Sequence, residues 1–306
     1  VSACTTRNSG YSSLTDKAQP TVASLITNFS GETRISDFSI RTQPKALVEI
    51  PNNASGITWH PYLKQYFIIR NNAAVIYRYD QNFKYLGQLK KTGKINNDTE
   101  GLTYSDSNHV LIVTEANTAH RVELNQQIFN GLYFWSNSDY RLDSYPKQKN
   151  KGFEAIAFRP PSASRTARIY AGQEGSRRYP NAKMRVVYFD ASARPSFMSR
   201  LLTEEDEHFK VVEPFNAEEK FAGVITDISG MTFDPVGKTL IIVSQESHKA
   251  IQVDPATGEL LSQLPLTGAP SYEGVTIGPN GQLVFVSEKN WVQIYTKNNN
   301  DKVSMQ

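Results

Sequence analysis

Ala54-Ser55-Gly56-Ile57-Thr58-Trp59 decides the fold, because the chain repeats this stretch four more times. The other copies are Thr99-Glu100-Gly101-Leu102-Thr103-Tyr104, Phe153-Glu154-Ala155-Ile156-Ala157-Phe158, Ile228-Ser229-Gly230-Met231-Thr232-Phe233 and Tyr272-Glu273-Gly274-Val275-Thr276-Ile277. Each places Ser or Glu before Gly or Ala, then an aliphatic residue, a small one and usually an aromatic. A unit that recurs every few tens of residues marks a repeat architecture, since each copy buries its apolar face against the next.

The residues downstream of each copy are similar too. After the first come a turn at His60-Pro61, the run Tyr66-Phe67-Ile68-Ile69, and further runs at 75–79 and 84–89. Runs at 110–113 and 120–124 come after the second copy, and runs at 240–243, 250–253 and 260–264 after the fourth. Short β-branched and aromatic runs bounded by Gly, Pro, Asn and Asp are strands joined by hairpins. Asp234-Pro235-Val236-Gly237 and Gly278-Pro279-Asn280-Gly281 have the residues of tight turns. Four strands per repeat around an axis predict an all-β chain folded as a β-propeller.

The residues before Gly or Ala are separated by 45, 54, 75 and 44 positions. A blade needs about 40–50 residues, so the interval from 154 to 229 holds either an insertion or a sixth, degenerate blade. Its charged stretch at 203–220 (Glu204-Glu205-Asp206-Glu207, then Glu218-Glu219-Lys220) suits an exposed excursion. Five blades are therefore expected, with six as the alternative. The last repeat ends near Tyr295, and Ala46-Leu47-Val48-Glu49-Ile50 is expected to supply its outer strand and close the ring. This divides the chain into a lipobox remnant and flexible tether at 1–36, one propeller at 37–298 and a tail at 299–306.

Across 306 residues the net charge is only +3 and the basic residues are dispersed, so there is no electrostatic footprint for nucleic acid. No apolar run approaches the 18 or so residues of a membrane-spanning helix. The only cysteine, Cys4, comes after Val1-Ser2-Ala3 and precedes a Ser/Thr-rich stretch. That arrangement resembles a bacterial lipobox, and an ordinary secretory cleavage site is the competing reading. Lipidated at Cys4, and with Thr5 rather than Asp next to it, the chain would be an outer-membrane lipoprotein of the cell envelope. It would then touch the membrane only through the lipid, and it is expected to be monomeric.

Equivalent residues of successive blades sit at equivalent radii, so Ser55, Glu100, Glu154, Ser229 and Glu273 should ring the axial channel. Arg70, Glu115 and Glu288 lie fifteen residues after three of these and should form a second ring. Gln173 or Glu174, and Gln245 or Glu246, are their counterparts in the other blades, while Asp98 and Asp227 precede ring residues by two. Converging carboxylates repel unless a cation or protons intervene. Oxygen ligands without His or Cys select Ca²⁺ or Mg²⁺ over zinc, and calcium tolerates irregular coordination. The expected calcium ligands are Glu100, Glu154 and Glu273, with Glu115, Glu288 and Asp227 as further candidates. The competing reading is that these side chains accept hydrogen bonds from neighbouring blades and only stitch the ring.

Asp98-Thr99-Glu100-Gly101-Leu102, Gly152-Phe153-Glu154-Ala155-Ile156 and Glu273-Gly274-Val275, with the strand ends Val113-Thr114-Glu115 and Val286-Ser287-Glu288, resemble the SdiA-regulated family of bacterial propellers. The resemblance covers roughly residues 45–296. It implies a five-bladed propeller, distantly related to NHL-repeat propellers, with a calcium site and no established activity. Glu100, Glu154 and Glu273 would form that site, and Ser55 and Ser229 depart from a fully acidic ring.

Two functions remain open. One is a calcium-stabilised binding module that takes a protein or small ligand at the channel mouth or loops. The other is a calcium-dependent lactonase, phosphoesterase or phytase-like hydrolase with a metal polarising the substrate oxygen. Its general base would come from His60, His109, His120 or His248, and Arg70, Arg177, Arg178 and Lys289 could line a basic mouth. No G-x-S-x-G, Walker loop or H-E-x-x-H is present. Trp59, Trp135 and Trp291 are expected in blade packing, 129–135 in an outer strand, and 204–207 on a solvated face.

Overall fold

The computed structural model describes residues 34–72, 74–91, 98–124, 133–142, 151–175, 181–191 and 210–298. A single 3-10 turn at Ile35–Asp37 leads into β1 (Phe38–Ile40) and β2 (Lys45–Ala46). The first blade is β3 (Ala54–His60), β4 (Gln65–Arg70), β5 (Val75–Tyr79) and β6 (Tyr85–Lys91). β7 (Thr99–Asp106), β8 (His109–Thr114), β9 (Thr118–Glu123) and β10 (Tyr133–Arg141) make the second, and β11 (Phe153–Arg159), β12 (Arg168–Gln173) and β13 (Arg185–Asp190) the third. After the one-turn helix α1 (Ala217–Lys220), β14 (Gly230–Asp234), β15 (Thr239–Ser244), β16 (Lys249–Val253) and β17 (Leu260–Pro265) form the fourth. The fifth is β18 (Tyr272–Ile277), β19 (Leu283–Ser287) and β20 (Trp291–Lys297). The fold is a five-bladed β-propeller.

The long interval of the third repeat is an insertion. Val212 takes the place of a fourth strand there, exchanging both backbone hydrogen bonds with Tyr188 at 2.8 and 2.9 Å. The next residues along the chain are more buried than their charge suggests. Phe215, Ala217, Phe221 and Ile225 pack into the core between the third and fourth blades, while Glu218 and Glu219 stay exposed. The acidic run at 204–207 lies outside the described residues.

The repeated glycine is explained by the approach of neighbouring inner strands. A Cβ on Gly56 would lie 2.6 Å from the Leu102 amide nitrogen, and one on Gly101 would lie 2.8 Å from the Glu154 carbonyl and the Ile156 nitrogen. Gly230 abuts the Glu273 carbonyl, and a Cβ on Gly274 would lie 2.9 Å from both the Ile57 nitrogen and the Ser55 carbonyl. Backbone meets backbone at these contacts, so even a methyl group has no room. Ala155 is tolerated because its partners differ. There Gly172 opposite gives the space, packed against Ile228 and the Ala155 methyl.

The ring closes with β1, eight residues earlier than expected. Phe38 pairs with Lys297 and Ile40 with Tyr295, antiparallel to β20, and β2 extends the edge by pairing Lys45 with Val292. Residues 47–50 are not a strand, because the Ile50 amide turns back to the Leu47 carbonyl at 3.0 Å. Leu47 and Ile50 drop into the core between the fifth and first blades, leaving Val48 82% exposed. Ahead of β1, buried Ile35 donates its amide to Gln252 Oε1 at 3.2 Å, and Ser36 donates to Ser262 Oγ at 3.0 Å. Removal of residues 1–33 keeps these bonds and the β1–β20 pairing, so the shortened chain should still close its ring and run as a monomer on size exclusion. Removal through residue 50 bares the β20 edge and takes away Phe38, Leu47 and Ile50, so the product should aggregate. A stable monomer of the longer deletion on size exclusion would refute this closure.

Trp59 is buried against Tyr66, with ring centroids 4.8 Å apart. Trp291 is 37% exposed, against expectation, because it opens β20 at the rim rather than inside the blade. Trp135 lies in β10, the outer strand of the second blade, as expected for that stretch; its side chain and residues 129–132 lie outside the described residues.

Candidate functional site

A backbone irregularity aims the ring residues at the axis. Strand register shifts between Ala54 and Gly56, Thr99 and Leu102, Phe153 and Ala155, and Tyr272 and Gly274. Ser55, Glu100, Glu154 and Glu273 fall in these bulges, which bend the strand and turn a side chain out of the ladder. In the fourth blade β14 starts two residues later relative to its ring residue, and Ser229 bonds by its amide to the Val243 carbonyl and by its hydroxyl to the Tyr272 carbonyl, both at 3.0 Å. All five residues line one cavity of about 310 Å³.

The second ring is fixed by a shared backbone bond. The Asp98 carbonyl accepts from the Glu115 amide at 3.1 Å, and Ser271 accepts from Glu288 at 2.9 Å. The same bond joins Gly152 to Glu174 at 3.0 Å and Asn53 to Asn71 at 2.8 Å. This bond places Asn71, Glu115, Glu174 and Glu288 in the second ring; in the fourth blade the Gln245 amide bonds the Asp227 carboxylate instead, and all five residues are on the cavity wall. Counting fifteen residues picks Arg70, one position short. Its guanidinium turns away to Asn52 Oδ1 at 3.0 Å. Glu246 accepts the Thr226 hydroxyl at 3.1 Å instead of facing the channel.

Asp227 has a different task. Its carboxylate accepts the Ser244 hydroxyl and the amides of Gln245 and Glu246 at 3.0 and 3.1 Å, which caps the turn after β15. It is buried beside the ring but does not line the cavity.

Asp98, Glu100 and Glu115 each offer an oxygen within 4.8 Å of the others. Glu100 accepts from Ser55 Oγ at 2.9 Å and from Asn71 Nδ2 at 2.6 Å, so it also joins the first two blades. Lys151, ion-paired with Glu174, is the one cation among the described residues that line the cavity. Burial pushes the Glu100 carboxyl up to about 7, and the Asp98 and Glu174 carboxylates add to the rise. Burial first, and then neighbouring carboxylates, drives Glu154 and Glu273 well above the ordinary range. The carboxyls of Glu100 and Glu174 lie near enough to Glu154 to oppose its ionisation. Without a cation, this cluster holds protons near neutral pH.

The donors facing the cavity are carboxylate, amide and hydroxyl oxygens, which suit a hard cation. Among the described residues, no histidine lines it. His60 sits at the far end of β3, where burial lowers it to about 4. His109 pairs with Asp106 at 2.7 Å, His120 is buried in β9, and His248 lies in the turn before β16. Arg177 and Arg178 lie outside the described residues.

Two solved structures compare with this one. Glutaminyl cyclase from Myxococcus xanthus aligns with a TM-score of 0.53 at 11% identity, covering 85% of this chain and 95% of that one. The β-propeller domain of Cps50 (Swd1) from Myceliophteria thermophila aligns with a TM-score of 0.42 at 11% identity, covering 82% and 65%. At such identity the cyclase likeness speaks for the fold alone. The repeated segments and their acidic residues lie within the match to the SdiA-regulated family model, which spans residues 31–290, and the chain belongs to that family.

Proposed function

We propose that the channel cavity binds a divalent cation, calcium by its donor chemistry, and that the propeller is a binding module of the bacterial cell envelope. The observation that carries this reading is the approach of Asp98, Glu100 and Glu115 within 4.8 Å at a cavity wall where, among the described residues, only Lys151 supplies positive charge. Glu100, Glu154 and Glu273 would be the principal ligands, with Asp98, Glu115 and Glu288 able to complete the shell. If the acids only stitched blades, their partners would be amides and hydroxyls. Glu100 does accept from a hydroxyl and an amide, but Glu154 is crowded by the carboxyls of Glu100 and Glu174, which stitching does not require. A cavity of about 310 Å³ also leaves room beside the cation for water or for an oxygen of a partner or small ligand.

Calorimetric titration of chelator-treated protein should show calcium binding. Glu100→Gln should weaken it by about tenfold or more, because a charged ligand is replaced by a neutral one of the same shape. Lys151→Met should strengthen it by removing the competing positive charge. Absence of binding heat at millimolar calcium would sink the metal. A catalytic reading draws on Glu100, since a carboxyl near 7 is poised for acid–base work at neutral pH. Turnover of lactones, phosphoesters or an N-terminal glutaminyl peptide, lost in Glu100→Gln, would replace the binding module by an enzyme.

The described residues hold no helix long and apolar enough to cross a membrane. We place membrane attachment on a lipid at Cys4. With a native export signal, the wild type should label with fatty acid and sediment with membranes, and Cys4→Ser should do neither. Equal partitioning of both forms would remove the tether.

A further inference from the structure

At the far end of β11 from Glu154, three arginines come together around the loop 160–167. Arg159 and Arg168 are direct cross-strand partners on β11 and β12. Like charges placed opposite one another destabilise a sheet unless something of opposite sign joins them. Arg159 is only 9% exposed; its Nη2 donates to the Thr166 carbonyl at 2.8 Å and the Tyr170 side chain faces it, while its Nε has no partner. A guanidinium has five donors, so this one keeps donors for a further acceptor. Arg165 joins through the bridge that pairs it with Ser162, and its charge and that of Arg168 both act against protonation of Arg159.

The carboxylates at hand do not balance this charge. Asp190 lies 3.4 Å from Arg168 Nε, is 46% exposed and also accepts the Thr166 hydroxyl at 3.2 Å. Asp234, at the corresponding end of the fourth blade's inner strand, accepts from its own turn at the Val236 amide, 2.9 Å away. Arg168 is held in place by the Tyr188 ring, 4.1 Å beneath its guanidinium carbon. Residues 161–166 are exposed, which leaves the approach open.

We infer that Arg159, Arg165 and Arg168 form a binding site for a phosphate-type oxyanion on the face of the propeller opposite the carboxylate cavity. Guanidinium groups present planar pairs of donors that match such an anion, and a partly buried group binds it with less competition from water. The anion could be free phosphate or the headgroup of an anionic phospholipid.

The test uses chelator-treated full-length protein at low ionic strength, titrated with inorganic phosphate in a calorimeter. Phosphate should bind, and Arg165→Gln and Arg168→Gln, which alter exposed or half-exposed side chains, should each weaken it by about tenfold. Glu100→Gln should leave it unchanged, since five residues of strand separate Glu154 from Arg159, about 16 Å. That control keeps the result independent of the channel cation. Sedimentation with phosphatidylglycerol vesicles but not phosphatidylcholine vesicles, lost in the same variants, would support the site with a lipid headgroup as its source. The site is overturned if neither millimolar phosphate nor anionic vesicles bind, if equal ionic strength of sodium chloride gives the same heat, or if both arginine variants bind as the wild type does.

Discussion

Excess calcium should raise the melting temperature of the chelator-stripped protein by about 10 °C near pH 8. A ligand at a thousandfold its Kd contributes about 4 kcal/mol, and 1 kcal/mol moves a domain of this size by about 2–4 °C. The direction of the pH dependence comes from the raised carboxyls. Folded Glu100 titrates at about 7, against 4.5 as its ordinary value, so between these the native state holds a proton that the unfolded chain has released. The contribution of this carboxyl to stability without calcium is then fully present below pH 4.5 and is lost as pH rises through 7. Glu154 and Glu273, raised by the same burial, act in the same direction. Calcium displaces those protons, so its stabilising effect grows over the same window. Stripped Glu100→Gln should melt above stripped wild type near pH 8 and gain less from calcium. Superimposable wild-type melts with and without calcium would rule out the cation.

Gly274→Val is expected to lower stability by about 3 kcal/mol or more, since overfilling a packed interior costs about 1–3 kcal/mol even where side chains can move. Here the atoms within 2.9 Å of the added Cβ include the backbone Ile57 nitrogen and Ser55 oxygen of the first blade. Moving them apart would open a ring that has no slack. Gly223→Ala is the comparison: a Cβ there meets nothing within 4 Å, so only its positive φ of 74° opposes the substitution. That change should cost about 1 kcal/mol. Equal melting temperatures for the two variants would show that the inner strands are not in register-locking contact.

The propeller was legible because its repeats carry two signals at once, the glycine of close inner-strand approach and the alternation of runs and turns. The first ring of the site was legible for the same reason. Its mechanism was not, because a bulge leaves no mark on residue identity, and the sequence reads Glu154 as one more strand position. The second ring slipped by one in the first blade, where Asn71 and not Arg70 takes the shared backbone bond. Asp227 shows the limit of spacing arguments. It precedes its ring residue as Asp98 does, yet the turn after β15 presents a hydroxyl and two amides that claim its oxygens. The closing strand was misplaced because 46–50 is as apolar as a strand. Only the turn from Leu47 to Ile50 shows that its side chains plug a gap between blades.

The pairing of Phe38 with Lys297 also sets an order of events during synthesis. Ser39 and Asn298, bonded beside that pair, are 259 positions apart. At about 5–20 residues per second, β1 waits on the order of half a minute for its partner to be made. Until then no set of emerged blades forms a closed ring, and the nascent chain carries an open edge at each end. The locking step of the ring therefore cannot precede the arrival of the C-terminal strand, whatever order the inner blades take.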